Sequence, residues 1–179
     1  MRELGLLLSN YLIFTFLAIA LAAAQASLWF HVFGTFSAPY LWLLIICYWT
    51  LYRSLTEAVL MTYIVGFTMI TMSGVPLSTA FAVNLSVFGG LFLLRDRVLW
   101  SGINSFILAS GMAAAALPVF TFIWSNILEP RSISDFHFFE WVLRAPLTAL
   151  FAFPFFYFFS WIDKVTHKEA PKDAESGFI

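Results

Sequence analysis

The chain has 179 residues, of which 61% are hydrophobic and 11% charged, and its net charge is −1. A soluble domain carries roughly 25% charged residues, so this composition excludes an ordinary soluble protein and predicts an integral membrane protein in contact with lipid. The balanced charge, with no basic stripe interleaved with aromatic residues, argues against nucleic acid as a partner.

The first predicted span covers residues about 5–30, because Leu4 to Phe30 contains no charge and about 20 apolar residues cross a bilayer. A cleaved signal peptide is the alternative, since Ala24-Gln25-Ala26 has the small–x–small pattern of a cleavage site. The apolar part exceeds the roughly 7–15 residues usual in a signal peptide, so we expect an uncleaved helix.

The centre of the chain predicts three further spans. A short, aromatic-rich apolar run precedes Arg53, and a charge-free stretch from Ala58 to Leu94 is broken only at residues 73–76. That stretch is long enough for two spans joined by a tight turn. We therefore predict an all-α integral membrane protein with about six transmembrane helices in one bundle. The predicted spans are about 5–30, 38–52, 58–73, 77–94, 99–124 and 141–162, and residues 163–179 are predicted to form a polar cytoplasmic tail.

The basic residues predict the orientation. Of the nine, those that six spans place on one side are Arg2, Arg53, Arg95, Arg97, Lys164, Lys168 and Lys172. The other side holds only Arg131 and Arg144. The positive-inside rule therefore predicts that both termini are cytoplasmic.

Two predicted spans carry small residues at four-residue intervals, which share one helical face and let another helix approach closely. These hypothetical helix–helix or partner interfaces are Ser78, Ala82, Ser86 and Gly90 in one span, and Ser101, Ser105 and Ala109 in the next. We expect replacement of Gly90 by leucine to weaken helix association more than replacement of Leu91 by alanine. Asn84, at depth in the same span, is more typical of an interhelical hydrogen bond than of a substrate contact.

Charged steps at the predicted cytoplasmic side form a second hypothetical contact surface. Arg53 and Glu57 are four residues apart and would share a face on a continuous helix. A solvated loop or helix end is the simpler interpretation, and a docking surface for a partner is the other. Arg95 and Arg97 form a similar step after the fourth span.

The predicted spans carry no convincing catalytic chemistry. None contains an acidic residue, and His, Cys, Asp and Glu form no cluster with metal-ligand spacing, so we predict no catalytic, cofactor or metal site. Ser73-Gly74 resembles the Ser-Gly of intramembrane serine proteases only weakly, because the preceding glycine and a membrane-depth base are missing. An intramembrane enzyme is therefore the least favoured class, and a binding protein is favoured.

A pattern in residues 39–77 resembles a known family. The pattern is a proline, an apolar run, Tyr-Trp, an arginine, then Gly and Ser-Gly-x-Pro-Leu. The residues that carry it are Pro39, Leu41 to Ile46, Tyr48-Trp49, Arg53, Gly66, Ser73-Gly74 and Pro76-Leu77. It is similar to the bacterial rod shape-determining protein MreD family, whose motif positions here are Pro39, Gly66, Ser73 and Gly74. The family usually has an aspartate four residues after that glycine, where this chain has Ile70, so the chain resembles a divergent member.

The resemblance implies a non-catalytic scaffold without cofactor in the bacterial cytoplasmic (inner) membrane. Such a subunit belongs to the elongasome, binds the bitopic protein MreC and other elongasome proteins, and supports peptidoglycan synthesis and cell shape. Its architecture is similar to the S-components of energy-coupling-factor transporters. A vitamin- or metal-binding S-component is thus the alternative, motivated by Gln25, Asn84 and Asn104 at depth with Trp and Tyr available to stack on a ring.

Overall fold

The computed structural model describes residues 2–34, 36–95, 102–129 and 138–166, and every regular element in these ranges is helical. A single π-helical turn, Ala24–Leu28, joins the first two helices into one continuous rod. The helices are α1 (Arg2–Ala23), α2 (Trp29–Phe33), α3 (Leu43–Tyr52), α4 (Leu55–Met72), α5 (Leu77–Arg95), α6 (Ile103–Leu128) and α7 (Phe138–Val165).

Five helical segments of the described chain are long and apolar enough to cross a membrane. They are Leu8–Phe33, Leu55–Met72, Leu77–Arg95, Ile103–Leu128 and Val142–Val165. Their outward faces carry large apolar side chains, such as Leu12, Phe16 and Leu93, which are 68–74% exposed. Such faces suit lipid, and the chain is an all-α, multi-pass membrane protein, as its composition predicts.

The second predicted span, about 38–52, is helical only from Leu43 onward. Ten residues rise about 15 Å, half the roughly 30 Å of a hydrocarbon core. Every residue of α3 from Leu43 to Thr50 is buried, and the helix packs against α4, α5, α6 and α7. The apolar run that suggested a lipid-facing span is instead the centre of the protein.

The C-terminal boundary also differs from the prediction. The tail was expected to begin at residue 163, but α7 continues to Val165, with Asp163 completely buried and Thr166 only 5% exposed. The prediction that no span contains an acidic residue is therefore wrong, because Asp163 lies within α7. The rest of the predicted tail, 167–179, lies outside the described residues.

The bundle has two distinct ends. Asn10, near the start of α1, bonds to Asp163 near the end of α7, and Arg53 after α3 joins them. This is the Asp163 end. The opposite end, the Arg144 end, holds the 73–76 turn, the segment 36–42 before α3, and Arg144 near the start of α7. Between the ends, rings of Phe14, Tyr48, Phe106 and Phe159 pack around α3 with centroids 5.2–6.3 Å apart.

Candidate functional site

A buried ionic cluster fastens the Asp163 end. Arg53 forms an ion pair with Asp163, and the two side chains are 3% and 0% exposed. The Tyr48 hydroxyl donates to the other carboxylate oxygen of Asp163 at 2.7 Å, and Asn10 Nδ2 donates to Asp163 Oδ1 at 3.1 Å and to Thr166 Oγ1 at 2.7 Å. We call Asn10, Tyr48, Arg53, Asp163 and Thr166 the Asp163 cluster. It ties together α1, the C-terminal end of α3, and α7.

Arg95 reinforces the same end. Its Nη1 donates to the carbonyl oxygens of Thr50 and Arg53, at 3.1 and 3.0 Å, where α3 ends. The last carbonyls of a helix lack intrahelical partners, and a cation there also complements the helix dipole. Arg95 is thus bound to the end of α3, and Arg97, predicted with it, lies outside the described residues.

Arg53 and Glu57 do not lie on one continuous helix, because one helix ends and another begins between them, as the simpler interpretation predicts. The chain is extended at Arg53, and a new helix begins at Leu55 with Ser54 as its N-cap, whose hydroxyl accepts from the Glu57 backbone N–H. Arg53 is only 5% exposed and its guanidinium carbon lies 5.5 Å from the centre of the Trp49 ring. Arg53 is therefore neither solvated nor available as an exposed docking residue.

The Asp163 cluster holds the helices together through contacts among buried side chains. Its single carboxylate is fully buried and surrounded by side chains of this chain. Nowhere in the described part of the chain do three His, Cys, Asp or Glu side chains come together to hold a metal ion.

The Arg144 end contains a cavity of about 330 Å³. Six elements contribute to its wall: the π-helical turn, the segment before α3, α4 with its following turn, α5, α6 and α7. Its described lining residues are Gln25, Tyr40, Trp42, Met69, Ser73, Val75, Ala80, Val83, Asn84, Leu117, Thr121 and Arg144. We call this space the Arg144 cavity. Its size falls at the lower end of the roughly 300–1,000 Å³ usual for small-molecule sites.

Two side chains hold the non-helical segment that forms one wall of the cavity. The backbone N–H of Tyr40 donates to Thr148 Oγ1 at 3.0 Å, and that of Leu41 donates to Gln25 Oε1 at 3.2 Å. Irregular backbone at membrane depth is tolerated only when protein satisfies its polar groups. These bonds allow the segment to present Tyr40 and Trp42 to the cavity.

Sequence reasoning found only part of this cavity. Gln25 and Asn84 were proposed as polar groups at depth, and both line it, whereas Asn104 lies exposed near the start of α6, toward the Asp163 end. Tyr40 and Arg144 were not singled out. Arg144 Nη1 lies 3.4 Å from the Tyr40 hydroxyl, with its guanidinium carbon 5.4 Å from the centre of the Tyr40 ring.

The small-residue stripe on α5 lies outside the core. Ser78 is exposed, while Ala82, Ser86 and Gly90 are half-buried, and Ser86 Oγ accepts from Trp124 Nε1 at 2.8 Å. Apart from the backbone of α5 itself, no described atom lies within 4 Å of a Cβ built on Gly89 or Gly90. Gly90 therefore provides no close approach to another helix of the described chain, and the expectation that its replacement by leucine weakens helix association stays a prediction that concerns a neighbour from outside these residues.

The small-residue stripe on α6, in contrast to the one on α5, is buried. Ser105 is 6% exposed and Ala109 is fully buried, so this face packs inside the protein and offers nothing to an outside partner. Gly111, on the same helix, is where α6 and α7 come closest, since an added Cβ would lie 3.3 Å from the Ala149 Cβ. Ser101 lies outside the described residues.

The positions of the family-like motif have distinct structural roles. Pro39 is buried in the segment before α3, and Ser73 ends α4 and lines the cavity. A Cβ on Gly66 would meet Asn84 Nδ2 at 3.0 Å, so Gly66 allows α4 and α5 to cross closely. Gly74 lies exposed in the turn, and Ile70 is half-buried on α4.

No protein-family model, no curated protein and no solved structure matches this chain.

Proposed function

We propose that this protein is a non-catalytic scaffold of the MreD type, a membrane subunit of the bacterial cell-elongation machinery. The observation that carries the proposal is the placement of the 39–77 pattern. Its apolar run is the buried central helix α3, its arginine pairs with Asp163, and its glycine Gly66 permits the α4–α5 crossing. Several of the residues behind the resemblance, Arg53 and Gly66 among them, thus help to hold the bundle together.

The proposed topology has six crossings in the inner membrane and both termini in the cytoplasm. The second crossing is made by α3 together with the buried segment before it, an S-component-like arrangement. The hydrogen bonds from Asn10 to Asp163 and Thr166 support termini on one side. Of the Lys and Arg residues that the structure describes, all but Arg144 fall at the Asp163 end, which supports a cytoplasmic position for that end.

The proposed contact for an MreC-like bitopic partner is the outer face of α5. Ser78, Ala82 and Gly90 lie on it, and the space over Gly89 and Gly90 is open. A single transmembrane helix could pack closely there, because small side chains admit a neighbouring backbone. Glu57 lies at the cytoplasmic end of α4, where other elongasome proteins would approach.

The test separates partner binding from folding. We expect Gly90→Leu to leave the free energy of unfolding nearly unchanged while co-purification of the MreC-like partner falls at least about tenfold. Leu91 is 3% exposed, so Leu91→Ala should cost about 2–5 kcal/mol of stability. Ala20→Leu, which places the same leucine side chain at a lipid-facing position of α1, serves as the control.

Two results would count against these proposals. If the Gly90→Leu protein co-purified with as much of the MreC-like partner as the wild type does, α5 would not be the interface. Absence of any MreC-like protein from the purified complex, with normal cell shape on depletion, would reject the scaffold function itself.

A substrate-binding subunit of a vitamin transporter is the second candidate. It is favoured by the cavity that brings Gln25 and Asn84 together with Tyr40 and Trp42. A metal cargo fits less well, since none of the described lining residues is His, Cys, Asp or Glu. A vitamin detected by mass spectrometry in the purified protein, with uptake that depends on this chain, would favour it. In the genome, a neighbouring mreC gene points to the scaffold and a transporter ATPase gene to uptake.

A further inference from the structure

We propose that the Arg144 cavity binds a small organic anion, with Arg144 supplying the positive charge and Tyr40 and Trp42 packing on the apolar part of the ligand. The inference goes beyond the scaffold role and does not depend on it. It also specifies that the ligand is negatively charged, whereas the vitamin-transporter alternative does not specify the charge of its substrate.

Arg144 gives the cavity its charge. It is the only charged side chain among the described lining residues, and no acidic side chain is among them. A second, smaller pocket of about 250 Å³ also has Arg144 and Gln25 in its wall. Charge interactions are stronger where water is scarce, so an anion beside this cation would be favoured.

The neutral polar groups around Arg144 are suited to donate. Gln25 uses its oxygen to accept from Leu41, which leaves its NH₂ group as a donor, and Asn84 brings a second amide. A carboxylate or phosphate accepts hydrogen bonds without donating any, so it matches this wall.

The remaining lining restricts the size and shape of the ligand. Met69, Val83 and Leu117 are apolar, and Tyr40 offers a ring face beside the cation. A volume of about 330 Å³ admits a molecule of one or two rings, or a lipid headgroup, but no peptide. A soluble aromatic carboxylate and the headgroup of an anionic phospholipid share this chemistry.

The first experiment compares two probes of one shape, benzoate and its neutral analogue benzamide. The purified protein is placed in phosphatidylcholine nanodiscs, and binding is measured by saturation-transfer NMR and tryptophan fluorescence. We expect benzoate to bind at least about tenfold more tightly than benzamide, as charge-assisted hydrogen bonds require. Arg144→Gln should reduce benzoate affinity to the level of benzamide, and Arg144→Lys should preserve most of the preference.

Matched variants control for charge and for space. Lys164→Gln removes a cation from the exposed surface of the opposite end and should leave benzoate affinity unchanged. Ala80→Trp fills the cavity and should abolish binding of both probes, whereas Leu93→Trp, at a position 70% exposed, should not. Equal affinity for benzoate and benzamide, or equal effects of Arg144→Gln and Lys164→Gln, would overturn the proposal. If Arg144→Gln fails to fold, the Arg144→Lys and Ala80→Trp comparisons decide.

A second experiment identifies the source of the anion. The protein is reconstituted with some phosphatidylglycerol, and native mass spectrometry counts the lipids it retains. Displacement of a phosphatidylglycerol by benzoate from the wild type, but not from Arg144→Gln, would support the proposal with a lipid headgroup as the natural anion. Benzoate binding without lipid displacement would support it with a soluble anion. Neither result depends on the partner or cell-shape assays that test the scaffold.

Discussion

Each end of this bundle is organised around an arginine beside tyrosine side chains, yet the two arginines have different surroundings. Arg53 at the Asp163 end meets a carboxylate that is itself bound by Tyr48 and Asn10. Arg144 at the other end lies against the Tyr40 ring and borders a cavity whose described walls carry no acid. The first arginine completes a closed set of contacts within the chain. The second leaves its side of the cavity suited to a charge from outside.

The difference follows from what membrane depth demands of a charge. A buried cation is costly unless it is paired, and an ion pair within the chain offsets much of that cost. A cation that lines a cavity can in addition be stabilised by an anion that enters the cavity from outside. One end is therefore expected to contribute stability and the other to contribute binding.

Removing the acid of the Asp163 cluster should have the largest effect. Asp163→Ala leaves the buried Arg53 without its counterion, and we expect a loss of about 3–5 kcal/mol in the free energy of unfolding. Denaturation in mixed detergent micelles measures it. Lys164→Ala, one residue further along and exposed, should change stability by no more than about 0.5 kcal/mol.

A second substitution can partly repair this end. In Arg53→Met combined with Asp163→Asn the charges are gone, the amide oxygen can still accept from Asn10, and the Tyr48 hydroxyl can accept from the new amide N–H, so most of the lost stability should return. An Asp163→Ala protein as stable as the wild type would show that the cluster does not hold the helices together.

Bulk added at the α4–α5 crossing should have an intermediate effect near the cavity. Gly66→Leu pushes against Asn84 and the Phe81 ring, and we expect a cost of about 1–3 kcal/mol. Gly89→Leu shares the gain in helix propensity but enters open space, so it should not destabilise. Thermal unfolding followed by circular dichroism compares the two, and equal stabilities would mean that Asn84 moves freely into the cavity.

Removing the cation of the Arg144 end should affect stability least. Among the contacts that Arg144→Gln loses are a cation–π contact with Tyr40 and a long hydrogen bond, and we expect a cost of about 1 kcal/mol. The same denaturation assay used for Asp163→Ala measures it. A loss as large as that of Asp163→Ala would mean that both ends serve the fold alike, and the contrast between them would disappear.

The sequence predicted the class of protein and the approximate place of most helices, because long apolar runs are unambiguous. It could not separate α3 from a lipid-facing span, since a helix buried in protein and a helix in lipid are both apolar all round. One local signal was available at its end. Ser54-Leu55-Thr56-Glu57 has the capping-box pattern, which predicts a helix start and so a break between Arg53 and Glu57.

The two ends were harder to predict because their members are far apart in the chain. Asp163 looked like the beginning of a polar tail, and only the fold brings it to Arg53. The cavity gathers Gln25, Tyr40, Asn84 and Arg144 from four separate elements, and no spacing rule connects them. The stripe on α6 was recognised as a packing face, but the pattern gives no sign of whether the neighbour is this chain or another.

The pairing of Arg53 with Asp163 also sets an order of assembly. The two residues are 110 positions apart, and a ribosome adding about 5–20 residues per second needs roughly 5–20 s to supply the acid after the base. Throughout that interval α3 and the helices around it must wait in the membrane with Arg53 still at its aqueous edge. The arrival of α7 then closes the bundle, so a chain that stops before Asp163 is expected to be left open and exposed to membrane proteases.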